Sequence, residues 1–340
     1  MLLPPPTPNA RTDGAANARP HRLRLVAVAV GLLVLLLVWC VSHPAPKGSV
    51  GTIEVAGQPF PIGTVVVNWR QSPCYDAYQR GKRFSVEDPP DGAPRYGVRK
   101  VELDGDLGGT IRSAGLDLQA LQRVVHQFVL HYDVAGVSRR CFKILQDDRQ
   151  LSVHFLLDVD GTIYQTLDLR EKASHATIAN DVSIGVEIAH PGAYPQPLHA
   201  EMRRWYEKDG LGYRMIVPAW VGESGIRTPG FVARPARPEL VEGSVQGRTY
   251  YQFDFTTEQY TALAHLCAAL HAVFPRIRLE VPRDAAGNVI PHALPEAELR
   301  AFDGIVGHFH VQKNKQDPGP AMQWDRVLRD ARRIHAQRDD

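Results

Sequence analysis

Residues 151–168, LSVHFLLDVDGTIYQTLD, contain two runs of β-branched and aromatic residues on either side of Asp160-Gly161. An Asp-Gly pair between two such runs is the strongest short-range signal for a β-hairpin. Residues 121–133 and 182–190 have the same composition without an adjacent partner, so we expect two more buried strands that pair across longer connections. Because helix-like segments alternate irregularly with these strands, the sequence predicts an α/β fold with a mixed central β-sheet flanked by helices.

The elements around this sheet are predicted from capping residues and periodicity. The run SRRCFKIL is predicted as a helix with Ser138 as its N-cap. A longer helix follows in the C-terminal half, where Thr256 and Gln259 form a capping box and apolar residues recur on one face. Residues 305–311, IVGHFHV, are predicted as a strand, and a charged helix is expected from about Trp324.

The N-terminal part of the chain predicts a membrane anchor. Residues 25–41 are apolar and uncharged over 17 positions, which is the short end of what spans a bilayer. Four arginines precede this run and no charge follows it until Lys47, so the positive-inside rule places residues 1–24, a disordered head, in the cytoplasm. This predicts a single-pass anchor in the cytoplasmic membrane with the rest of the chain in the cell envelope, on the periplasmic side. Cleavage after the run and a lipid on Cys40 are alternatives.

Composition divides the remaining chain into three parts. Residues 42–50 are a linker, and residues 51–110 are an N-terminal extension of strand-like fragments broken by proline and glycine. Residues 111–340 are the main domain. Within it, residues 191–250 have no sustained periodicity and are predicted as an insertion or lid at the domain surface.

Charge and cysteine content exclude two classes of function. Lysine plus arginine (39) nearly balances aspartate plus glutamate (37), so the chain has no electrostatic footprint for nucleic acid. After Cys40, the body contains Cys74, Cys141 and Cys267, an odd number that permits at most one disulfide. Since these cysteines form no Cys-x-x-Cys pair, a cysteine-built metal site is not expected.

A metal site of histidine and aspartate is predicted instead. In GHFHVQKNKQDPGPAMQWD, residues 307–325, His308 and Asp317 stand on either side of a loop, and His131 lies at the end of the strand predicted at 121–133. Two imidazoles and one carboxylate are ligands that Zn²⁺ prefers, and a catalytic site keeps a fourth position open. His126, in the same segment as His131, and His310, on the same predicted strand face as His308, are alternative ligands.

The segments FVLHYD, LSVHFLLDVDGTIYQTLD, SHATIANDVSIGVEIAH and GHFHVQKNKQDPGP, in this order, resemble the zinc-dependent N-acetylmuramoyl-L-alanine amidases of type 2. This superfamily includes the peptidoglycan recognition proteins and phage amidases. The resemblance covers roughly residues 121–190 and 256–324. It implies a mixed sheet of five or six strands with Zn²⁺ in a groove across it, and it assigns His131, His308 and Asp317 as the metal ligands.

The resemblance also implies roles for three other residues. Glu187 of SIGVE matches the catalytic acid of the family, and Lys315 of KQDPG matches the basic residue beside the metal. His175 of SHA matches a position that contacts substrate, although Ser174 stands where the family often has tryptophan.

The predicted function is zinc-dependent hydrolysis of the amide bond between N-acetylmuramic acid and L-alanine in peptidoglycan or muropeptides. The first alternative is a non-catalytic peptidoglycan-binding module of the same fold, and the second is a zinc hydrolase that acts on another amide. Binding-only members of the superfamily usually lack the third ligand. Since this chain retains Asp317, the resemblance implies an enzyme.

Overall fold

The computed structural model describes residues 51–84, 93–100 and 116–338. The head, membrane segment and linker predicted within residues 1–50 lie outside these ranges. In the described ranges, no helix combines the length and the apolar character needed to cross a bilayer.

The strands of the described ranges are short and most belong to one central sheet or to small hairpins around it. In chain order they are β1 (Thr52–Val55), β2 (Gln58–Pro61), β3 (Val66–Asn68), β4 (Tyr96–Gly97), β5 (Gln127–Tyr132), β6 (Phe155–Leu157), β7 (Ile163–Gln165), β8 (Lys172–Ala173), β9 (Ser183–Ile188), β10 (Tyr206–Asp209), β11 (Gly212–Met215), β12 (Val241–Val245), β13 (Arg248–Gln252) and β14 (Gly304–Gly307).

The α-helices lie between and after these strands. In chain order they are α1 (Leu118–Val124), α2 (Ser138–Lys143), α3 (Ala200–Trp205), α4 (Thr257–Val273), α5 (Glu296–Ala301), α6 (His308–Val311) and α7 (Trp324–Ala336). The end of α2 continues directly into a π-helical segment, Ile144–Arg149.

The central sheet has six strands in the order β14-β5-β9-β6-β7-β3. The strands β14, β5, β9 and β6 run parallel, β7 is antiparallel to β6, and β3 is parallel to β7. The predicted mixed sheet and the hairpin around Asp160-Gly161 are therefore confirmed. Because β3 comes from the N-terminal extension, that extension supplies an edge strand of the sheet.

Both faces of the sheet are covered by apolar side chains. All six residues of β5 are buried, which explains why its sequence reads as an apolar run without alternation. On one face, Phe128 and Leu130 belong to the same buried cluster as Leu263 and Leu266 of α4. This packing explains the long apolar helix that the capping box predicts, and both hydrogen bonds of that box are present.

The second face of the sheet carries the candidate site. His131 on β5, Glu187 on β9, Leu156 on β6 and Tyr164 on β7 are register partners in one row across the sheet. Side chains of directly opposed residues point to the same face. Leu156 and Tyr164 are buried in one cluster with Phe142 of α2, so α2 covers the β6–β7 end of this row.

Two predicted boundaries were wrong near β5. The strand predicted from residue 121 begins at Gln127, because residues 118–124 form α1, whose first turn is capped by the carboxylate of Asp117. Ser138 is the first residue of α2 rather than its N-cap, and Val137 occupies the N-cap without a side-chain hydrogen bond. The N–H of Ser138 donates instead to Asp158 Oδ1 at 3.3 Å.

The strand predicted at residues 305–311 was also only partly correct. The strand ends at Gly307, and His308 begins the one-turn helix α6. The cause is a local hydrogen bond, in which the N–H of Gly307 donates to Nδ1 of His310 at 2.9 Å. His308 and His310 therefore do not share a strand face.

The insertion and the cysteines complete the description. Residues 191–250 contain α3 and two antiparallel hairpins, β10–β11 and β12–β13, although β13 extends to Gln252. Cys74, Cys141 and Cys267 are all free thiols, so the disulfide that the sequence permits is not formed among them.

Candidate functional site

Three predicted ligand residues meet at one point at the edge of the sheet. Nδ1 of His131 lies 2.9 Å from Nδ1 of His308 and 3.0 Å from Oδ2 of Asp317. Nδ1 of His308 lies 2.9 Å from the same carboxylate oxygen. All three residues are buried, and within the described ranges no other group of three His, Cys, Asp or Glu side chains is close enough to hold a metal ion.

The fold brings these residues together through two neighbouring parallel strands. His131 is the fifth residue of β5, and His308 directly follows β14, whose Gly307 pairs with Leu130. The loop returns to this point at Asp317, whose carbonyl accepts the N–H of Phe309 at 3.0 Å. Gly307 permits this return, because a Cβ there would lie 2.8 Å from Cδ of Pro318.

Two glutamines of the β12–β13 hairpin hold the loop that carries Asp317. The side-chain amide of Gln246 donates to the carbonyls of Phe309, Gln312 and Lys315 at 2.8, 3.0 and 3.1 Å. The side-chain amide of Gln252 donates to the carbonyl of Pro318 at 3.1 Å. The insertion therefore supports the loop that carries the third ligand, which the sequence did not indicate.

The protonation states of His131 and Asp317 suit a divalent cation. Burial, followed by the neighbouring His308, lowers the pKa of His131 to about 4, so its ring is neutral at pH 7. Burial alone would raise the pKa of Asp317, but His308 and His131 hold that pKa below its usual value. Neutral imidazole nitrogens and a carboxylate oxygen are the donors that zinc prefers, and this donor set therefore fits the ion.

Each histidine of the cluster has a partner for its second ring nitrogen. Nε2 of His131 lies 3.0 Å from Nδ1 of His175, and Nε2 of His308 lies 2.8 Å from Oε1 of Gln312. A ring that uses Nδ1 as a ligand atom carries its proton on Nε2, where it can donate a hydrogen bond. His175 and Gln312 are placed to accept these two protons and to orient both rings.

The position of the His175 side chain is fixed by residues close to it in the fold. The N–H groups of His175 and Ala176 donate to Oδ1 of Asn180 at 3.1 and 2.6 Å. Gly185 on β9 leaves room for the ring, because a Cβ there would lie 2.5 Å from its Nδ1 and Cε1 atoms. The side chain predicted to contact substrate therefore contacts a candidate ligand of the metal.

Glu187 stands beside the cluster on the neighbouring strand. It is the register partner of His131, and its Oε2 is buried without a hydrogen-bond partner in the described ranges. Burial raises its pKa well above the usual value, and the negative charges of Asp317 and Asp133 raise it further. The positive charge of Lys315 lowers the pKa of Glu187 and that of His131.

His126 and His310, the two alternative ligands that the sequence offers, are not part of the three-residue cluster. His126 precedes β5 at the opposite end of the strand from His131, and neither of its ring nitrogens has a hydrogen-bond partner among the described residues. Nδ1 of His310 accepts the N–H of Gly307, and its Nε2 lies 2.6 Å from the carbonyl of Ile290. His310 therefore stabilises the turn that presents His308.

Part of the chain matches a known protein family. Residues 121–214 match the family described as N-acetylmuramoyl-L-alanine amidase. This match includes His131, His175 and Glu187 and ends before His308 and Asp317. No curated protein matches the sequence.

Several solved structures are similar to the chain at low identity. A crystal structure of a selenomethionine derivative of AmpD is 16% identical with a TM-score of 0.31, covering 70% of this chain and 90% of that one. The amidase AmiD from E. coli, in complex with anhydro-N-acetylmuramic acid-L-Ala-D-γ-Glu-L-Lys, is 17% identical with a TM-score of 0.34, covering 64% and 59%. The endolysin LysCS from Clostridium intestinale is 13% identical with a TM-score of 0.29, covering 64% and 86%.

Proposed function

We propose that this chain, which belongs to the N-acetylmuramoyl-L-alanine amidase family through residues 121–214, hydrolyses the amide bond between N-acetylmuramic acid and L-alanine in peptidoglycan or its muropeptide fragments. The observation that carries the proposal is the buried cluster of His131, His308 and Asp317, whose donor atoms lie within 4.8 Å of one another. Two members of this cluster lie outside the residues that match the family. The cluster is therefore an argument separate from the match.

The cofactor in this proposal is Zn²⁺, held by Nδ1 of His131, Nδ1 of His308 and Oδ2 of Asp317. When bound, zinc polarises a carbonyl group and lowers the pKa of water towards neutrality. The chain supplies the orientation of the ligands. His175 and Gln312 accept the Nε2 protons of the two histidines, and such outer contacts fix the tautomer and the direction of each ring.

Glu187 is the proposed general acid and base. Its unpaired Oε2 and its position opposite His131 allow it to take a proton from the attacking water. The raised pKa of Glu187 favours the protonated form that must then donate to the leaving amine of L-alanine. Returning the same proton leaves the carboxylate ready for the next cycle.

Lys315 is the proposed electrostatic partner of the reaction. Its loop is held by Gln246, whose side-chain amide donates to the backbone carbonyl of Lys315 at 3.1 Å. A fixed ammonium group near the carbonyl oxygen would stabilise the negative charge that develops there, an effect worth about 3 kcal/mol for one well-placed donor.

The proposed location is the cell envelope, with the catalytic domain on the periplasmic side of the cytoplasmic membrane. This part of the proposal rests on the arginine-flanked apolar run at residues 25–41. A reporter fused to the C-terminus tests it, since a reporter that works only in the cytoplasm should then be inactive.

Zinc dependence is tested by metal content and activity together. Purified protein should hold about one zinc per chain, and muropeptide cleavage should stop with a chelator and return with zinc. The double variant His131→Ala, His308→Ala should hold none. Stoichiometric zinc in that variant would reject the ligand assignment, and a parent protein that binds muropeptides with zinc present but releases no peptide would favour the binding module.

A further inference from the structure

A cleft of about 510 Å³ lies between the N-terminal segment, α2 and the insertion, and its lining includes no residue of the three-residue metal cluster. Its volume is within the range of small-ligand sites in proteins. Three arginines line it, Arg83, Arg139 and Arg227, and we call it the arginine cleft. Among the described residues of its lining, Glu223 is the only one with a carboxylate.

The positive charge of the arginine cleft is only partly balanced. Nη2 of Arg139 lies 3.0 Å from Oε2 of Glu223, whose side chain is 76% exposed, and such surface ion pairs contribute little stability. Among the described residues, the guanidinium of Arg83 hydrogen-bonds only to neutral oxygens, Oε1 of Gln79 and the carbonyl of Cys74, each at 3.4 Å. Arg227 makes no side-chain hydrogen bond or ion pair with any residue in the described ranges. With respect to the part of the chain that the structure describes, two guanidinium groups are therefore available to an anion.

Aromatic rings form the apolar part of the same cleft. The rings of Tyr75 and Tyr164 lie 4.5 Å apart by their centroids, and both line the cleft. The guanidinium of Arg139 lies 4.8 Å from the centre of the Phe84 ring, within the distance of a cation–π contact. A ligand with apolar segments beside its charged groups would match this surface.

The walls of the cleft are held in place before any ligand binds. The buried carboxylate of Asp147 accepts the N–H groups of Arg83 and Phe84 at 2.7 and 3.1 Å, which fixes the N-terminal segment on the π-helical segment that follows α2. Gly225 lets the insertion approach, since a Cβ there would lie 2.9 Å from Cβ of Arg139 and from Oη of Tyr75. A site with fixed walls loses less conformational entropy when it binds a ligand.

The cleft and the metal cluster lie on the same face of the sheet. Tyr164 is in the row of register partners that contains Glu187 and His131, and β7 is two strands from β9. At about 4.8 Å between strands, the Cα atoms of Tyr164 and Glu187 are roughly 10 Å apart. Leu156, between them, is fully buried in one cluster with Phe142 of α2, so the cleft and the metal cluster are separate sites.

We propose that the arginine cleft binds the carboxylates of a peptide stem of the wall polymer, a stem other than the one whose amide bond is cleaved. The identity of this peptide rests on the proposed function. Guanidinium groups match carboxylates in geometry, and the aromatic rings match the apolar parts of a peptide. A polymer held at two sites is retained more strongly than a fragment that reaches only one.

Calorimetry on the full-length chain tests the binding. The probes are the peptide L-alanyl-γ-D-glutamyl-L-lysine, the same peptide with its carboxylates converted to carboxamides, and inorganic phosphate. The double variant Arg83→Gln, Arg227→Gln is compared with Arg329→Gln, Arg333→Gln, which removes the same charge from exposed positions of α7. We expect the first variant to bind the acidic peptide at least about tenfold more weakly, and the second to bind like the parent.

Three results would overturn the proposal. The two double variants could bind the acidic peptide alike, the carboxamide peptide could bind as tightly as the acid, or phosphate could bind in the cleft more tightly than the peptide does. A second measurement compares rates on polymeric peptidoglycan and on a monomeric muropeptide. The ratio of the two rates should fall several-fold in the Arg83, Arg227 variant and stay unchanged in the α7 variant. If no protein releases peptide, the proposed function fails, while calorimetry still decides the cleft.

Discussion

Nε2 of His131 lies 3.0 Å from Nδ1 of His175, on the side of the ring opposite the atom that faces His308 and Asp317. This contact couples the metal cluster to a residue that is 44 positions away in the sequence and is seated against Gly185 of β9. The rigidity of the cluster therefore depends on residues that are not ligands themselves.

Removing the His175 ring should weaken metal binding. In His175→Ala, the Nε2 proton of His131 loses its acceptor, and loss of such an outer contact typically costs 10- to 100-fold in metal affinity. Competition with a chromogenic chelator measures the change. His292→Ala, at an exposed histidine outside the cluster, is the control and should bind zinc like the parent. Unchanged affinity in His175→Ala would contradict an orienting role.

Substitutions of Gln312, the hydrogen-bond partner of His308, should either raise or lower the zinc affinity. Oε1 of Gln312 accepts from Nε2 of His308 at 2.8 Å, and a carboxylate at this position would accept more strongly. We therefore expect zinc affinity to decrease in the order Gln312→Glu, parent, Gln312→Leu, because a stronger acceptor makes the His308 ring a better ligand. The same chelator competition gives the order. A Gln312→Leu variant that binds zinc as tightly as Gln312→Glu would contradict this explanation.

Adding one methyl group to β9 should disturb the metal cluster by displacing the His175 ring that contacts His131. In Gly185→Ala, the new Cβ would lie 2.5 Å from the His175 ring, so the ring must move away from His131. We expect a loss of about 1–3 kcal/mol in the free energy of unfolding, as for overpacked sites, and weaker zinc binding as well. Gly210→Ala is the matched control, since nothing lies within 4 Å of its Cβ. Equal denaturation midpoints and equal zinc affinities in the two variants would contradict the packing of the His175 ring against Gly185.

Glu187→Gln should separate catalysis from metal binding. The amide cannot accept the proton of water, and general acid–base assistance contributes roughly 10²- to 10⁴-fold to rate. We expect the turnover of muropeptides to fall by that order while zinc content and substrate affinity stay close to those of the parent. Asp317→Ala should instead lower zinc content and rate together. A Glu187→Gln enzyme that turns over at the parent rate would assign the proton transfers to another group.

Much of the fold could be predicted from local sequence signals. The hairpin, the strand around Glu187 and the capping box of α4 each depend on residues that are neighbours in the chain. The predicted start of β5 was wrong because the apolar run before Gln127 suits a helix as well as a strand. The carboxylate of Asp117 caps the first turn of this run and so favours the helix α1. The strand predicted at residues 305–311 stopped at Gly307 because the ring of His310 turns back to it, a contact that strand periodicity does not reveal.

The sequence predicted the three residues of the cluster, but it did not predict the residues that contact them. His131, His308 and Asp317 belong to recognisable motifs, and the structure brings them together. The contacts of His175 with His131, and of Gln246 with the loop before Asp317, join residues that are distant in sequence and depend on the tertiary fold. No local pattern marks Gln246 or Gln252, since a glutamine in a hairpin has no spacing that indicates its partner.

The identity of the cleaved bond tests the central claim most directly. The protein is incubated with a muropeptide in water labelled in its oxygen, and the products are identified by mass spectrometry. Hydrolysis at the proposed bond gives a muramic acid whose lactyl carboxylate carries one labelled oxygen, together with an unlabelled peptide that begins with a free L-alanine amine. A label found in the peptide, an L-alanine that stays attached to the sugar, or the absence of any cleavage with zinc present would contradict the account.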